Sequence, residues 1–190
     1  MQCSKKRAPP YVDAGLYVVV PEPSCLAAFR DELPQLLADD PRAARLAIAS
    51  RSLSEQLLHS PKFAPAAARD EVLPSRVPRD RILLHPHCHA RAIGISSADR
   101  AVLERLGFAV EVLDAGCCGL AGSFGYNPSH EAISREIAEK WWLPQLHDRA
   151  KNAVLVIDGF SCVMQLEQTQ SGSRDVAISL PRILRNRLRL

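Results

Sequence analysis

Nothing in the chain approaches the roughly 18 consecutive apolar residues of a membrane-spanning helix. The basic, polar start, residues 1–10, has no apolar segment behind it, so no secretory signal is expected there. Aromatic residues make up only 5% of the chain and do not interleave with the basic ones, so nucleic acid is not an expected partner. The net charge of +3 is small, and Arg182, Arg185, Arg187 and Arg189 have the helical spacing of a solvated face. The glycine-rich stretch at 116–125 lacks the Lys-Ser or Lys-Thr of a phosphate-cradling P-loop. These absences point to a cytoplasmic location, with the surface of the inner membrane as a second placement. In a reducing compartment, clustered cysteines serve metal or redox chemistry rather than a disulfide framework.

What is present reads as one domain with a substantial core: 190 residues, 47% apolar. Residues 16–20 form a short apolar run, expected as a strand buried on both faces. Pro21-Glu22-Pro23 breaks it. A helix follows, with Leu26, Phe29, Leu33, Leu36 and Leu37 on one side and Ser24 as its cap. Helical pieces are expected at 43–49 and 52–58, the second opened by the capping box Ser52-Leu53-Ser54-Glu55. Residues 60–80 read as a surface loop. Thereafter strands at 81–85, 110–113 and 154–157 alternate with helices at 97–107, 129–146 and from Met164 onward. A polar break at 169–175 precedes a closing helix over 177–190. Strand, loop and helix in repetition predict an α/β fold: an open parallel sheet with helices on both faces and cysteine loops at the carboxyl ends of the strands. Three segments result: an irregular 1–14, a domain over 15–168, and a tail over 169–190. Trp141 and Trp142 cannot both face one core.

Five of the six cysteines obey one positional rule. Cys25, Cys88, Cys117, Cys118 and Cys162 each follow a predicted strand, and in an open parallel sheet such loops meet at one edge. Cys3 falls outside the rule. Thiolates select zinc, copper(I) or iron–sulfur centres. Zinc competes because His85, His87 and His89 flank Cys88, although paired ligands two to four residues apart are more usual for a structural zinc. Adjacent Cys117 and Cys118 suit a centre of several metal atoms better than one tetrahedral ion. Around them, Gly119, Gly122 and Gly125 allow backbone N–H groups to approach sulfur. His87, His89 and His130 read as turn or cap residues.

Pro21-Glu22-Pro23-Ser24-Cys25, His87-Cys88-His89, Cys117-Cys118-Gly119-Leu120-Ala121-Gly122-Ser123-Phe124-Gly125-Tyr126 and Asp158-Gly159-Phe160-Ser161-Cys162 together resemble the CCG (cysteine-rich) domain family. The likeness runs over about residues 13–168. It is nearest to the C-terminal iron–sulfur part of fused FAD-linked D-2-hydroxy acid dehydrogenases. The iron–sulfur subunit of glycolate oxidase and one of the heterodisulfide reductase subunits share the family. The resemblance implies an iron–sulfur centre, a [4Fe–4S] one by family habit, held by Cys25, Cys88, Cys117, Cys118 and Cys162, with Gly119 and Gly122 beside it. It implies an electron-transfer module rather than a complete active site, and no catalytic residue is assigned. Its partners would be a flavin-containing dehydrogenase domain or subunit carrying FAD, and the missing first half of a tandem. The family's C-x-x-C ending is absent, since position 165 is Gln, and no ferredoxin-type cysteine run is present. A zinc-stabilised interaction domain using Cys88, Cys117, Cys162 and a histidine, and a remnant without cofactor, stand as alternatives.

Overall fold

The computed structural model describes residues 9–63, 81–149, 153–169 and 177–188. Cys3, most of the loop expected over 60–80 and most of the break at 169–175 lie outside these residues. The fold is α/β, built on two parallel sheets flanked by helices. The short α1 (Pro9–Asp13) leads into β1 (Val18–Val19). Then α2 runs through Pro23–Ala27, a π-helical turn Ala28–Glu32, and Leu33–Leu36. Next come α3 (Pro41–Ala49), β2 (Ser50–Arg51) and α4 (Leu53–His59). After β3 (Arg81–His85) follow α5 (Cys88–Ala92), α6 (Ser96–Arg105) and β4 (Ala109–Val112). A 3-10 turn Phe124–Tyr126 leads to α7, made of Glu131–Ile137, a π-helical turn Ala138–Trp142, and Leu143–Arg149. The chain continues through β5 (Val154–Ile157), α8 (Phe160–Thr169), β6 (Ala177–Ile178) and α9 (Leu180–Leu188).

The larger sheet has the order β4-β3-β5-β6 with all pairs parallel. Alternation along its strands divides the core in two. Leu83, Leu155 and Ile157 face α7 and α8, packing with Leu113, Trp142 and Leu146. Ile82, Leu84, Val154 and Val156 face α6 and α9, packing with Val102, Leu103, Ile183 and Leu184. Trp142 is fully buried while Trp141 is 58% exposed, as their adjacency requires. The exposed Arg182 and Arg185 form the expected solvated face of α9, opposite Ile183 and Leu184.

Three expectations change in the N-terminal part. The run at 16–20 is a two-residue strand in a separate sheet with β2, and it is not buried on both faces: Leu16, Tyr17 and Val19 are exposed. Val18 and Val20 turn inward, but among the described residues no helix covers the opposite face. The cap of α2 is Glu22, whose carboxylate accepts from the Cys25 N–H at 2.9 Å, and Ser24 instead donates to Glu22. Leu36 leaves the apolar side of α2 and is 65% exposed. The cause is Pro34, which has no N–H and crowds the carbonyl a turn earlier, so the helix widens into a π turn and later residues rotate outward. The same device recurs in α7 ahead of Pro144, where Leu143-Pro144-Gln145-Leu146 repeats Leu33-Pro34-Gln35-Leu36.

The capping box on α4 forms as expected. Arg30 from α2 reaches it, donating to Glu55 at 2.7 and 3.0 Å and to the Ser50 carbonyl. One guanidinium thereby ties α2, β2 and α4 together.

Candidate metal centre

Each cysteine-bearing segment leaves the carboxyl end of a strand. His87 ends the turn after β3 and caps α5: its Nδ1 accepts from the His89 N–H at 3.2 Å. Cys88 is therefore the first residue of a helix rather than a loop residue, and Cys162 likewise sits in the first turn of α8. Cys117 and Cys118 lie in the irregular stretch between β4 and the 3-10 turn. Arg91 of α5 binds the Leu113 carbonyl at 2.5 Å and Asp114 at 3.4 Å, fastening the Cys88 helix to the root of that stretch.

The glycines explain how the stretch folds. Gly119 has φ +93° and packs so close to α7 that a Cβ would overlap the Ser134 carbonyl. Gly125 packs against the Ser134 hydroxyl in the same way. Gly159 leaves its Cβ position to the His87 ring. Gly122 differs: it has φ +65° but open space around it. The close approach at Gly119 and Gly125 is thus to a helix, and the room beside this loop lies at Gly122. Ala121 precedes it at φ +45°, a conformation that costs a side-chain-bearing residue about 1–2 kcal/mol.

Four of the five expected thiols come together. Cys117 interacts with both Cys88 and Cys118, Cys118 interacts in turn with Cys162, and the Cys162 charge acts on Cys88. Hydrogen bonds from the Cys118 and Cys88 thiols hold Cys117 far below the ordinary thiol range, and the Gly119 N–H adds a bond to its Sγ at 3.3 Å. The same sharing pushes Cys88 and Cys118 up. The run passes from buried Cys118 and Cys162 through half-buried Cys117 to exposed Cys88. Cys25 stands apart on α2, exposed, with burial of its thiol and the Glu22 carboxylate pushing it up and no other described cysteine acting on it. Its helix does pack beside α5, Leu26 against Ala90.

The histidines sort by depth. His85, at the end of β3, is buried and accepts the Trp142 indole N–H on Nδ1 at 3.2 Å. Burial, with the Arg91 charge, drives its pKa down to about 3. His87 and His89 stack at 5.2 Å between ring centroids, and burial lowers His87. His130 begins α7 without a side-chain cap bond and stacks on Phe124. Ligand atoms of His87, Cys88 and His89 lie within 4.8 Å of one another, the one such group of three among the described residues. His89 Nδ1 is buried there without a hydrogen-bond partner.

Sequence reasoning missed Ser134 and underrated Gln165. Where a C-x-x-C ending would place a second thiol, the Gln165 side chain donates to the Ser134 carbonyl at 3.1 Å and hydroxyl at 3.2 Å. The residue fastens α8 to α7 behind the cysteine stretch. The six-residue spacing of Gly119 and Gly125 was the available signal that something presses against that loop.

No family model matches the chain, and no solved structure matches it. Among curated proteins, D-2-hydroxyglutarate dehydrogenase of Haemophilus influenzae is 28% identical over 159 residues, covering 81% of this chain and 15% of that protein. One of the subunits of the anaerobic glycerol-3-phosphate dehydrogenase of Escherichia coli is 26% identical over 160 residues, covering 83% of this chain and 37% of that polypeptide. D-2-hydroxyglutarate dehydrogenase of Pantoea ananatis is 26% identical over 158 residues, 82% of this chain and 14% of that protein. The chain is therefore similar, over most of its own length, to a minor part of larger dehydrogenase proteins.

Proposed function

We propose that Cys88, Cys117, Cys118 and Cys162 hold an iron–sulfur centre and that the chain serves as the electron-transfer part of a dehydrogenase system. The observation that carries this is the run of four interacting thiols drawn from three strand ends. A single tetrahedral zinc asks for sulfurs about 3.8 Å apart around one point. Here, among the described residues, no three of these thiols lie within 4.8 Å of one another. That donor set suits a centre with several metal atoms, each taking one thiolate. When bound, the centre would supply one-electron chemistry.

The chain's own residues supply the rest. The neighbouring Cys118 and Cys88 thiols lower Cys117, the Gly119 N–H donates to its sulfur, and Cys118 and Cys162 are shielded from water. Exposed Cys88 gives the run an outlet to the surface. Because the similar proteins include two D-2-hydroxyglutarate dehydrogenases, the electrons are assigned to oxidation of a 2-hydroxy acid at a flavin, FAD, on a partner domain or subunit. Anaerobic reconstitution with iron and sulfide is expected to give about four irons per chain and broad absorbance near 400 nm, both largely lost in Cys118→Ala. A colourless, iron-free product from the intact, folded chain would sink the reading.

One observation favours a second reading. The compact His87, Cys88 and His89 group, with its orphan His89 nitrogen, offers three donors to one ion. One zinc per chain without acid-labile sulfide, insensitive to Cys118→Ala, would establish it in place of the cluster.

A further inference from the structure

His85 is the last residue of β3, the strand that β4 and β5 flank. The segments that carry Cys88, Cys117 with Cys118, and Cys162 leave the sheet from these three strands. Alternation puts the His85 side chain on the face of Leu83, the face that buries Trp142, Cys118 and Cys162. His85 is itself 2% exposed, and a ring so buried needs partners for its nitrogens.

One hydrogen bond decides what that ring can do. The Trp142 indole is a donor only, and it gives its N–H to His85 Nδ1 at 3.2 Å. The accepting nitrogen must carry a lone pair, which excludes the imidazolium and places the one ring proton on Nε2. The two rings pack with centroids 5.2 Å apart, so the bond is held by the core around it. A nitrogen that holds a proton cannot also bind a metal, and Nδ1 is already taken. Of the three histidines around Cys88, His85 is therefore unsuited to be a ligand.

Its Nε2–H still needs an acceptor. Among the described residues the ring makes no hydrogen bond besides the one from Trp142. Arg91, His87 and Cys117 are the groups whose charge acts on it. Arg91 is a donor only and is spent on the Leu113 carbonyl and Asp114. His87 gives its lone-pair nitrogen, Nδ1, to the His89 N–H, and its Nε2 lies against Gly159. Cys117 alone offers an acceptor, its sulfur.

We propose that His85 is the fixed hydrogen-bond donor of the metal centre and not one of its ligands. Trp142 locks the proton on Nε2, and that N–H serves the sulfurs gathered at Cys117. A donor to sulfur stabilises the more negative charge state, so the Trp142–His85 pair raises the potential of a centre held there. His85 is in this sense a positioning residue of the thiol run. The donor role rests on reading the thiols as metal ligands; the locked proton does not.

The full chain, labelled with heavy nitrogen in its histidines, is read by nitrogen–proton NMR, and His85→Gln identifies the ring signals. Without metal, His85 should show a bare Nδ1 and a protonated Nε2, and Trp142→Phe should mix the two tautomers. Adding Zn²⁺ should leave the proton on Nε2. A proton on Nδ1, a tautomer indifferent to Trp142, or a proton lost to Zn²⁺ would overturn the proposal. The donor role is read from the reduction potential of the iron- and sulfide-loaded chain. His85→Gln keeps an amide N–H and should stay near the parent. His85→Leu should lower the equilibrium constant for one-electron reduction about tenfold, ~59 mV. Equal potentials in the two variants would overturn the donor role. A chain with the locked proton that takes up no iron refutes the iron–sulfur reading; a loaded chain with the proton elsewhere refutes the His85 assignment alone.

Discussion

Gly119 shows how one missing side chain sets the geometry of the thiols. Its φ of +93° lies in the left-handed region, and its Cβ position is already taken by the Ser134 carbonyl. Gly119→Ala is expected to cost roughly 2–4 kcal/mol in urea unfolding, because conformational strain and a backbone overlap add. Gly122→Ala shares the positive φ but meets nothing within 4 Å, so about 1 kcal/mol is expected there. Equal losses at the two positions would mean that contact with α7 does not matter. Neither number was legible beforehand. A glycine in a sequence announces a conformation or a close approach, but not which neighbour approaches, and the expected neighbour was a ligand. Gln165 was likewise visible only as a departure from a cysteine pattern, and its bond to Ser134 needed α7 and α8 side by side.

At the scale of elements, the strands at 81–85 and 154–157 were legible because they are short apolar runs bounded by sharp breaks and, Arg81 apart, buried, whereas Ala177–Ile178, expected to open the closing helix, is a strand. The first half misled for a physical reason: an apolar run records what a strand can bury, not whether its cover is present. The two π turns were missed because periodicity alone does not register a proline's crowding of the preceding turn. One junction between elements has a measurable consequence. Asp158, at the end of β5, accepts the Leu180 N–H at 2.7 Å and so caps α9, while Asp99 of α6 accepts from Ser54 of α4 at 2.5 Å. Burial, and then the Asp99 charge, raise Asp158 to about 7; burial raises Asp99 to about 6. The folded protein thus keeps protons that the unfolded chain releases near pH 4, so stability falls as pH rises from about 4 to 7. Asp158→Asn keeps the oxygen that caps α9 and removes the charge. Its melting temperature should vary less over this window and match or exceed that of the parent at pH 8. An unchanged pH slope would show that the carboxyl does not hold its proton.

At the scale of the molecule, the described residues form a four-stranded and a two-stranded parallel sheet, with a thiol run at the carboxyl edge of the larger one. The placement of four cysteines followed from the strand–helix rhythm, because parallel strands deliver the segments after them to one side. The fifth, Cys25, follows β1 of the other sheet by the same rule, on a helix that packs beside α5. Trp142 turns this architecture into an optical gauge. Its indole is fully buried in the same core as Cys118 and Cys162, while the adjacent Trp141 faces solvent. An absorbing centre on those sulfurs would drain excitation from the interior indole more than from the outer one. Iron loading should therefore dim the blue side of the emission first and shift the remaining light to the red, a change that Trp142→Phe abolishes. A uniform loss across the band would place the metal elsewhere, so the two neighbouring tryptophans let the occupancy of the site be followed by light alone.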